Sequence, residues 1–271
     1  MTIHKPPPPT YTKTDTNPAG IRIYFDEASH RYWTDRRTEF VSGTTFIKHY
    51  FPPFDGPAIA AKKAEKDCPD EQARADYAAA LLDLWEKKRD AAGAMGTRVH
   101  ANCEMQITDQ PFPYQPQDER ERAIMATAFN AVNHVRDVLK FKLFAVEKIV
   151  FSESLSVAGT IDLLMYDAAG TVYVLDWKTN EEIETVNKWD KFALPPIAHV
   201  GDMNSTKYAL QLSLYEWLLR DQGYIKLGTK VERAIIHLRP DAFQIIPMPS
   251  LDKDIRALVE DFRTNPWHLE F

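Results

Sequence analysis

Residues 159 to 180 read GTIDLLMYDAAGTVYVLDWKTN, and this stretch decides the fold. Two apolar runs cover it, Val157 to Tyr166 and Val172 to Trp177, and both have the length and composition of buried strands. The turn-forming residues 167 to 170 join them. The pattern therefore predicts two neighbouring strands connected by a short turn.

Charged side chains interrupt these apolar runs. Asp176 and Lys178 are separated by one residue, and residues i and i+2 of a strand point to the same face, so we expect them side by side. A charged pair in a buried strand is costly without a purpose. Asp162 lies on the preceding strand, and the short turn between the strands predicts that the two carboxylates are close.

Two carboxylates beside a lysine suit the hydrolysis of phosphodiesters. One or two Mg²⁺ or Mn²⁺ ions can stabilise the anionic transition state and activate water, and such hard cations prefer carboxylate oxygens. We therefore predict a metal site formed by Asp162 and Asp176, with the main-chain carbonyl of Trp177 as a further ligand. Lys178 would hold the attacking water or offset the charge of the phosphate.

The rest of the chain predicts an α/β fold in which helices flank a central mixed sheet. Further strands are expected at 21–25, 31–33, 40–41, 145–151, 231–238 and 243–248. Helices are expected from 42 or 44 to 50, and at 58–67, 71–92, 96–107, 118–140, 208–220 and 251–262.

We expect one domain after a proline-rich, flexible tail at residues 1–20. Within the domain, residues 21–95 would form a hairpin and a helical elaboration, residues 96–248 the catalytic core, and residues 249–271 a closing helix. The length of 271 residues and a content of 44% hydrophobic and 27% charged residues fit a globular enzyme of this size.

Composition excludes several classes of protein. The two cysteines cannot build a disulfide framework, a four-cysteine zinc site or an iron–sulfur cluster. No run of the sequence approaches eighteen apolar residues and the N-terminus lacks the apolar core of a signal peptide, so we expect a cytoplasmic protein with no membrane partner. The net charge of -6 argues against binding nucleic acid by bulk electrostatics, but a nuclease needs only a local patch.

Two helices add candidates to the strand residues. Gly96-Thr97-Arg98-Val99-His100 opens one, where His100 and Glu104 share a face at a spacing of one turn. Gln211 and Tyr215 share a face of the other in the same way.

In these motifs and their order, the chain resembles the PD-(D/E)XK nuclease superfamily. Within it, the chain is similar to RecB-type nucleases, to the mitochondrial genome-maintenance exonuclease and to phage exonucleases. These share a Gly-Thr-x-x-His helix, a Gly-x-Ile-Asp strand, an Asp-x-Lys strand and a Gln-x-x-x-Tyr helix. A hairpin leading into Ser-Val-Thr is echoed more weakly by Tyr32 and by Val41-Ser42-Gly43-Thr44, where a glycine intervenes.

The resemblance implies a role for each candidate. His100, Asp162 and Asp176 would ligate the metal, Lys178 would assist catalysis, and Glu147 on the first core strand would be an accessory acid. Accessory or DNA-binding roles would fall to these side chains: Thr97, Arg98, Glu104, Gln211 and Tyr215. Two features depart from the family: Ile161 stands where the superfamily has its proline, and the cysteines of iron–sulfur relatives are missing.

Several alternatives stay open. Glu104 is equally well explained as a solvated residue, and Glu147 as a partner in a cross-strand ion pair. Trp189 and Phe192, with nearby lysines, would stack on bases of a single strand or simply lie in a solvated loop.

The expected function is a metal-dependent deoxyribonuclease, an exonuclease of recombination, repair or replication. Its partners would be single-stranded DNA or duplex ends and recombination or replication proteins, in the host cytoplasm if the gene belongs to a phage. The alternatives are an endonuclease specific for single-stranded or branched DNA, and a catalytically silent DNA-binding module of the same fold.

Overall fold

The protein is described by a computed structural model that covers residues 12–36, 39–111 and 114–267. It has the predicted α/β fold, with helices on both faces of a mixed sheet. In the described ranges, every helix is too short or too polar to span a bilayer.

The described residues form one sheet of nine strands, in the order β1-β2-β3-β4-β6-β7-β8-β9, with β5 on the other edge of β6. The strands are β1 (Lys13–Thr16), β2 (Arg22–Asp26), β3 (Arg31–Thr34), β4 (Glu39–Ser42), β5 (Lys142–Ser152), β6 (Val157–Tyr166), β7 (Val172–Lys178), β8 (Val231–Leu238) and β9 (Phe243–Pro247). β4 lies parallel to β6 and β8 parallel to β7, and the other neighbours are antiparallel. The sheet is therefore mixed, as expected.

The helices of the described residues are α1 (Gly43–His49), α2 (Gly56–Asp67), α3 (Arg74–Ile107), α4 (Glu119–Asn133), α5 (Asn204–Asp221) and α6 (Asp252–Thr264). A π-helical turn, His134–Val138, extends α4. Side chains of α1, α5 and α6 pack against β6, β7 and β8 in the largest apolar core. Those of α3 and α4 pack in a second core with the same strands. The sheet is thus covered on both faces.

A gap in the pairing of β6 positions the site. β6 pairs with both β4 and β5 at residues 157–158, and with both β7 and β5 at residues 163–166. Since a strand has two edges, β4 and β7 must share the edge opposite β5. Residues 159–162 lie between these two pairings, so Asp162 stands at the opening where β6 and β7 diverge.

Two predictions about the N-terminal third are wrong. Helix α3 is continuous, although separate helices were expected at 71–92 and 96–107, so the predicted boundary between residues 95 and 96 falls inside it. A glycine within a helix costs only about 1 kcal/mol relative to alanine. Burial of Met95, Val99 and Cys103 against the sheet offsets the cost of Gly93 and Gly96.

The second wrong prediction placed residues 13–16 in a flexible tail. Lys13–Thr16 form β1 and pair with Arg22–Phe25 of β2 in antiparallel register. The sequence KTDT has no apolar alternation, and its pairing depends on hydrogen bonds to the next strand and on charged partners in β5. The proline-rich residues 1–11 lie outside the described part of the chain.

Candidate active site

Three acidic side chains are aligned across β5, β6 and β7. The last β6–β7 pair is Leu163 with Leu175, so the next step of this register sets Asp162 opposite Asp176. The β5–β6 pairs on either side of Glu147 set that residue opposite Asp162 in the same way. The strands leave the regular ladder beyond these pairs, but the charge of Asp162 raises the pKa of both Asp176 and Glu147, so the three carboxyl groups lie near one another at the opening beside β6.

Asp162 is held by two partners. Nδ1 of His100, on α3, lies 3.2 Å from Oδ2 of Asp162, and the main-chain N–H of Trp177 donates to the same oxygen at 3.0 Å. Burial opposes ionisation of Asp162, but His100, Lys178 and the Trp177 N–H outweigh it and hold its pKa below the ordinary value. Burial also disfavours the imidazolium, yet Asp162 raises the pKa of His100 above its usual value.

The main chain of Trp177 faces this opening as well. In a strand, the N–H and C=O of one residue point toward the same neighbouring strand. Because the Trp177 N–H reaches Asp162, its carbonyl is directed to the same side. The Trp177 indole is buried in the core formed with α3 and α4, so only the main chain of this residue is available to the site.

Asp176 and Lys178 form a deeper layer and contact each other through Oδ2 and Nζ. Asp176 is only 4% exposed, and burial, the largest effect, together with the charge of Asp162 raises its pKa to about 6 although Lys178 acts in the opposite direction. Burial would lower the pKa of Lys178, but Asp176 and Asp162 outweigh it and raise the pKa. Lys178 is therefore an ammonium at neutral pH.

Helix α5 and the end of β7 support Lys178. Its Nζ lies 4.8 Å from the ring centroid of Tyr208, a cation–π contact. The Tyr208 hydroxyl donates to Oδ1 of Asn180 at 2.8 Å, and Nε2 of His237 on β8 lies 2.7 Å from the Asn180 carbonyl oxygen. These bonds fix the chain that follows Lys178, so the lysine is oriented by three separate elements.

Glu147 has an unusual backbone and an unexpected partner. Its φ of 47° is in the left-handed region, which is uncommon for a residue with a side chain. Its carboxylate is 2.9 Å from Nζ of Lys13 on β1, whereas the neighbouring Lys148 pairs with Asp15. Burial and the charge of Asp162 raise the pKa of Glu147 to about 7, with Lys13 opposing this effect.

Gln211 and Tyr215 of helix α5 form another part of the wall of the site. Nε2 of Gln211 donates to the Tyr215 hydroxyl at 2.9 Å. The ring of Tyr215 fills the space above Gly159, where an added Cβ would lie 2.4 Å from ring carbon Cε1. A Cβ on Gly43 would lie 3.1 Å from the same carbon. The glycine that interrupts the Ser-Val-Thr pattern thus has a structural reason, because both glycines make room for one tyrosine.

The site opens into a cavity of about 740 Å³. Helix α3, strands β5 and β6 and helix α5 supply these predicted residues to its wall: Thr97, His100, Glu104, Glu147, Asp162, Gln211 and Tyr215. The N-terminal hairpin supplies others that were not predicted to have a functional role, among them Lys13, Glu27 and His30. Tyr32 completes this wall and lies 2.9 Å, oxygen to oxygen, from the Thr160 hydroxyl.

The structure does not bring Arg98 to this cavity. Its guanidinium makes two hydrogen bonds to Glu121 of α4, at 2.7 and 2.9 Å, and Glu121 is 1% exposed. The pair joins α3 to α4. Of the aromatic residues considered for base stacking, Trp189 is 76% exposed and Phe192 43% exposed.

The donor set fits a hard divalent cation. Oδ2 of Asp176 is buried beside the Lys178 ammonium, yet no described donor reaches it with hydrogen-bond geometry. The carboxylate oxygens of Asp162 and Asp176 and the Trp177 carbonyl oxygen are ligands of the kind that Mg²⁺ and Mn²⁺ prefer, and the His100 imidazole adds a nitrogen donor. Among the described residues, no three side chains of His, Cys, Asp or Glu already surround a common point. Asp176, turned toward Lys178, would have to reorient to join Asp162 and His100.

Reasoning from sequence missed Lys13 and Tyr208. Lys13 carries no motif and lies in a stretch that resembles a tail. Tyr208 could have been found, because it precedes Gln211 by three residues on a predicted helix and therefore shares its face.

Comparison with known proteins gives the family. The family model of the PD-(D/E)XK nuclease superfamily matches residues 58–265, which include the core strands and the helices that carry the motifs. No curated protein matches the chain. Since the match spans well over half of the sequence, the chain belongs to the PD-(D/E)XK nuclease superfamily.

Proposed function

We propose that the protein is a metal-dependent deoxyribonuclease that hydrolyses phosphodiester bonds, acting as an exonuclease in DNA recombination, repair or replication. The observation that carries the proposal is a pair of contacts at the opening between β6 and β7, that of His100 with Asp162 and that of the Lys178 ammonium with Asp176. Burial and the charge of Asp162 raise the pKa of Asp176 to about 6 against the effect of Lys178, and acids shifted in this way are common at functional sites.

His100, Asp162, Asp176 and the Trp177 carbonyl would hold Mg²⁺ or Mn²⁺, as one or two ions. The bound ion would polarise the phosphate and lower the pKa of attacking water. The ion would compete with protein groups for these carboxylates, because Asp162 already contacts His100 and Asp176 already contacts Lys178. Both carboxylates thus contact a basic side chain and are desolvated before an ion arrives.

Lys178 would serve as a donor. As an ammonium it can hold the attacking water or a phosphate oxygen by hydrogen bonding, and it cannot accept a proton in that state. Tyr208 and Asp176 restrict its position. Gln211 would donate to the substrate or brace Tyr215, and Thr97 and Glu104 line the path by which a strand would reach the metal.

The order of the motifs supports placement in the RecB-type branch, which includes phage exonucleases, and this is the reason for proposing an exonuclease. DNA would be the partner, as single strands or duplex ends. Recombination or replication proteins would be further partners, in the cytoplasm of the cell or of a phage host.

One cleavage assay tests the proposal. Linear and covalently closed single-stranded DNA of the same sequence are incubated with the protein in Mg²⁺, in Mn²⁺ and in EDTA. We expect mononucleotides or short products from the linear form, none from the circle, and none in EDTA. Cleavage of the circle would replace the exonuclease with an endonuclease. DNA retention on filters in EDTA, with no product in any metal, would show a silent binding module.

A further inference from the structure

The N-terminal strand β1 reaches the proposed metal centre from outside the core of the fold. Its residues Lys13 and Asp15 have the same orientation, because they are separated by one position in a strand. Lys13 forms an ion pair with Glu147 of β5 at 2.9 Å, and Asp15 forms one with Lys148 of β5 at 2.6 Å. Oδ2 of Asp15 also accepts the Ile149 N–H at 3.2 Å. β1 is therefore fixed on β5 in one register.

Lys13 is placed in the cavity by its backbone. β1 pairs with β2 from Lys13 onward, and both the N–H and the hydroxyl of Thr12 donate to the Phe25 carbonyl, at 2.9 and 3.2 Å. The Lys13 side chain is 30% exposed and lines the cavity with Glu27, Glu104 and Glu147. It is thus a cation presented to three carboxylates by a hydrogen-bonded strand.

The positive charge of Lys13 is paired with the Glu147 carboxylate of the site. Glu147 lies opposite Asp162 in the register, and its left-handed backbone departs from the regular strand at this position. Such backbone conformations are strained and persist where surrounding contacts impose them. The ion pair with Lys13 is the contact that holds the Glu147 carboxylate at the rim of the site.

We propose that the Lys13 ammonium occupies the position of a second cation, so that this centre binds one divalent ion rather than two. The inference rests on the proposed function, because it presumes that Asp162 and Asp176 hold a metal. Lys13 neutralises Glu147, which would otherwise be available with Glu104 as an oxygen ligand for another ion. Lys13 acts here as a positioning residue, through Glu147.

The test counts bound ions without using activity. Calorimetric titration of the full chain with MnCl₂, in the absence of DNA, should give one ion per molecule for the unaltered protein. Lys13→Met frees Glu147 and should give two. Lys13→Arg keeps the charge and should again give one.

Lys148→Met is the matched control, since it removes the adjacent ion pair between the same two strands and leaves Glu147 with its partner. It should bind one ion, which separates the charge of Lys13 from the docking of β1. Circular dichroism of each variant verifies the fold.

Two ions in the unaltered protein, or one ion in a folded Lys13→Met, would overturn this inference and leave the proposed nuclease intact. A second ion in Lys148→Met would also overturn it, because the docking of β1 and not the ammonium would then set the count. The absence of saturable Mn²⁺ binding in the unaltered protein would overturn the inference and the proposed function together.

Discussion

Replacement of Asp176 by asparagine should stabilise the metal-free protein while it abolishes cleavage. In the folded chain, burial raises the pKa of Asp176 from 3.8 to about 6. The native state therefore holds this proton more tightly than the unfolded state does. The stability that this proton contributes is present below pH 3.8 and is lost as the pH rises through about 6.

The size of the effect follows from the shift. About two pKa units at 1.36 kcal/mol each amount to roughly 3 kcal/mol. Solvent screening reduces this little, because the Asp176 side chain is 5% exposed. At pH 8 in EDTA, Asp176→Asn should thus unfold with a free energy up to about 3 kcal/mol higher than the unaltered protein. The difference should shrink toward pH 4, where the folded state is protonated and the unfolded state is about half protonated.

Urea unfolding followed by circular dichroism, at pH 8 and at pH 4 in EDTA, measures this difference. Asp167→Asn is the matched control in the turn between β6 and β7. Desolvation opposes ionisation of Asp167, but hydrogen bonds from Thr171, Tyr173 and Ala169 outweigh it and lower its pKa. This second substitution should therefore destabilise the protein at pH 8.

In saturating Mg²⁺, the unaltered protein should be more stable to urea than Asp176→Asn, the reverse of the order in EDTA. Ligand binding stabilises only the protein that holds the ion. A lower urea midpoint of unfolding for Asp176→Asn than for the unaltered protein, in EDTA at pH 8, would contradict this prediction. It would mean that the carboxylate is held by its protein partners and is not poised for a metal.

Three further substitutions give independent tests. Gly159→Ala places a Cβ 2.4 Å from the ring of Tyr215 and should cost about 1–3 kcal/mol of unfolding free energy, whereas Gly93→Ala in open space on α3 should gain up to about 1 kcal/mol; urea titration compares them. Arg98→Ala leaves the buried Glu121 carboxylate unpaired and should lower the free energy of unfolding by about 3–5 kcal/mol in the same titration. The KM for DNA should be unchanged, and a tenfold rise in KM would contradict the structural role of Arg98. Lys178→Met should reduce turnover on the order of 100-fold or more but retain Mn²⁺ binding by calorimetry, and loss of binding would contradict its role as a donor.

The fold was largely predictable where apolar periodicity decides it. The core strands β5 to β9 and helix α5 were expected within a few residues of their bounds, because apolar side chains of each pack in or against the two cores. The continuity of α3 was not, since Gly93 and Gly96 resemble helix breakers and only packing against the sheet overrides them. Strand β1 was missed because KTDT has no apolar alternation, and the β5 side chains that pair with Lys13 and Asp15 lie more than a hundred residues away in the sequence.

For the candidate site, motif order indicated which residues meet but not how they are held. The contact of Lys178 with Asp176 follows from their i, i+2 spacing in one strand, whereas the contact of His100 with Asp162 depends on the divergence of β6 and β7 at the opening. The pairing of Glu147 with Lys13 depends on a left-handed residue that no local sequence signal marks. The role of Gly43 became clear only from the position of the Tyr215 ring.

The central claim is that Asp162 and its neighbours hold a divalent ion that cleaves DNA. The most direct measurement compares the rates at which the unaltered protein and Asp162→Asn release nucleotides from labelled linear DNA, in Mg²⁺ and in EDTA, with folding of both verified by circular dichroism. We predict release by the unaltered protein in Mg²⁺ alone and none by the folded variant. Release in EDTA, or at an undiminished rate by Asp162→Asn, would contradict the account.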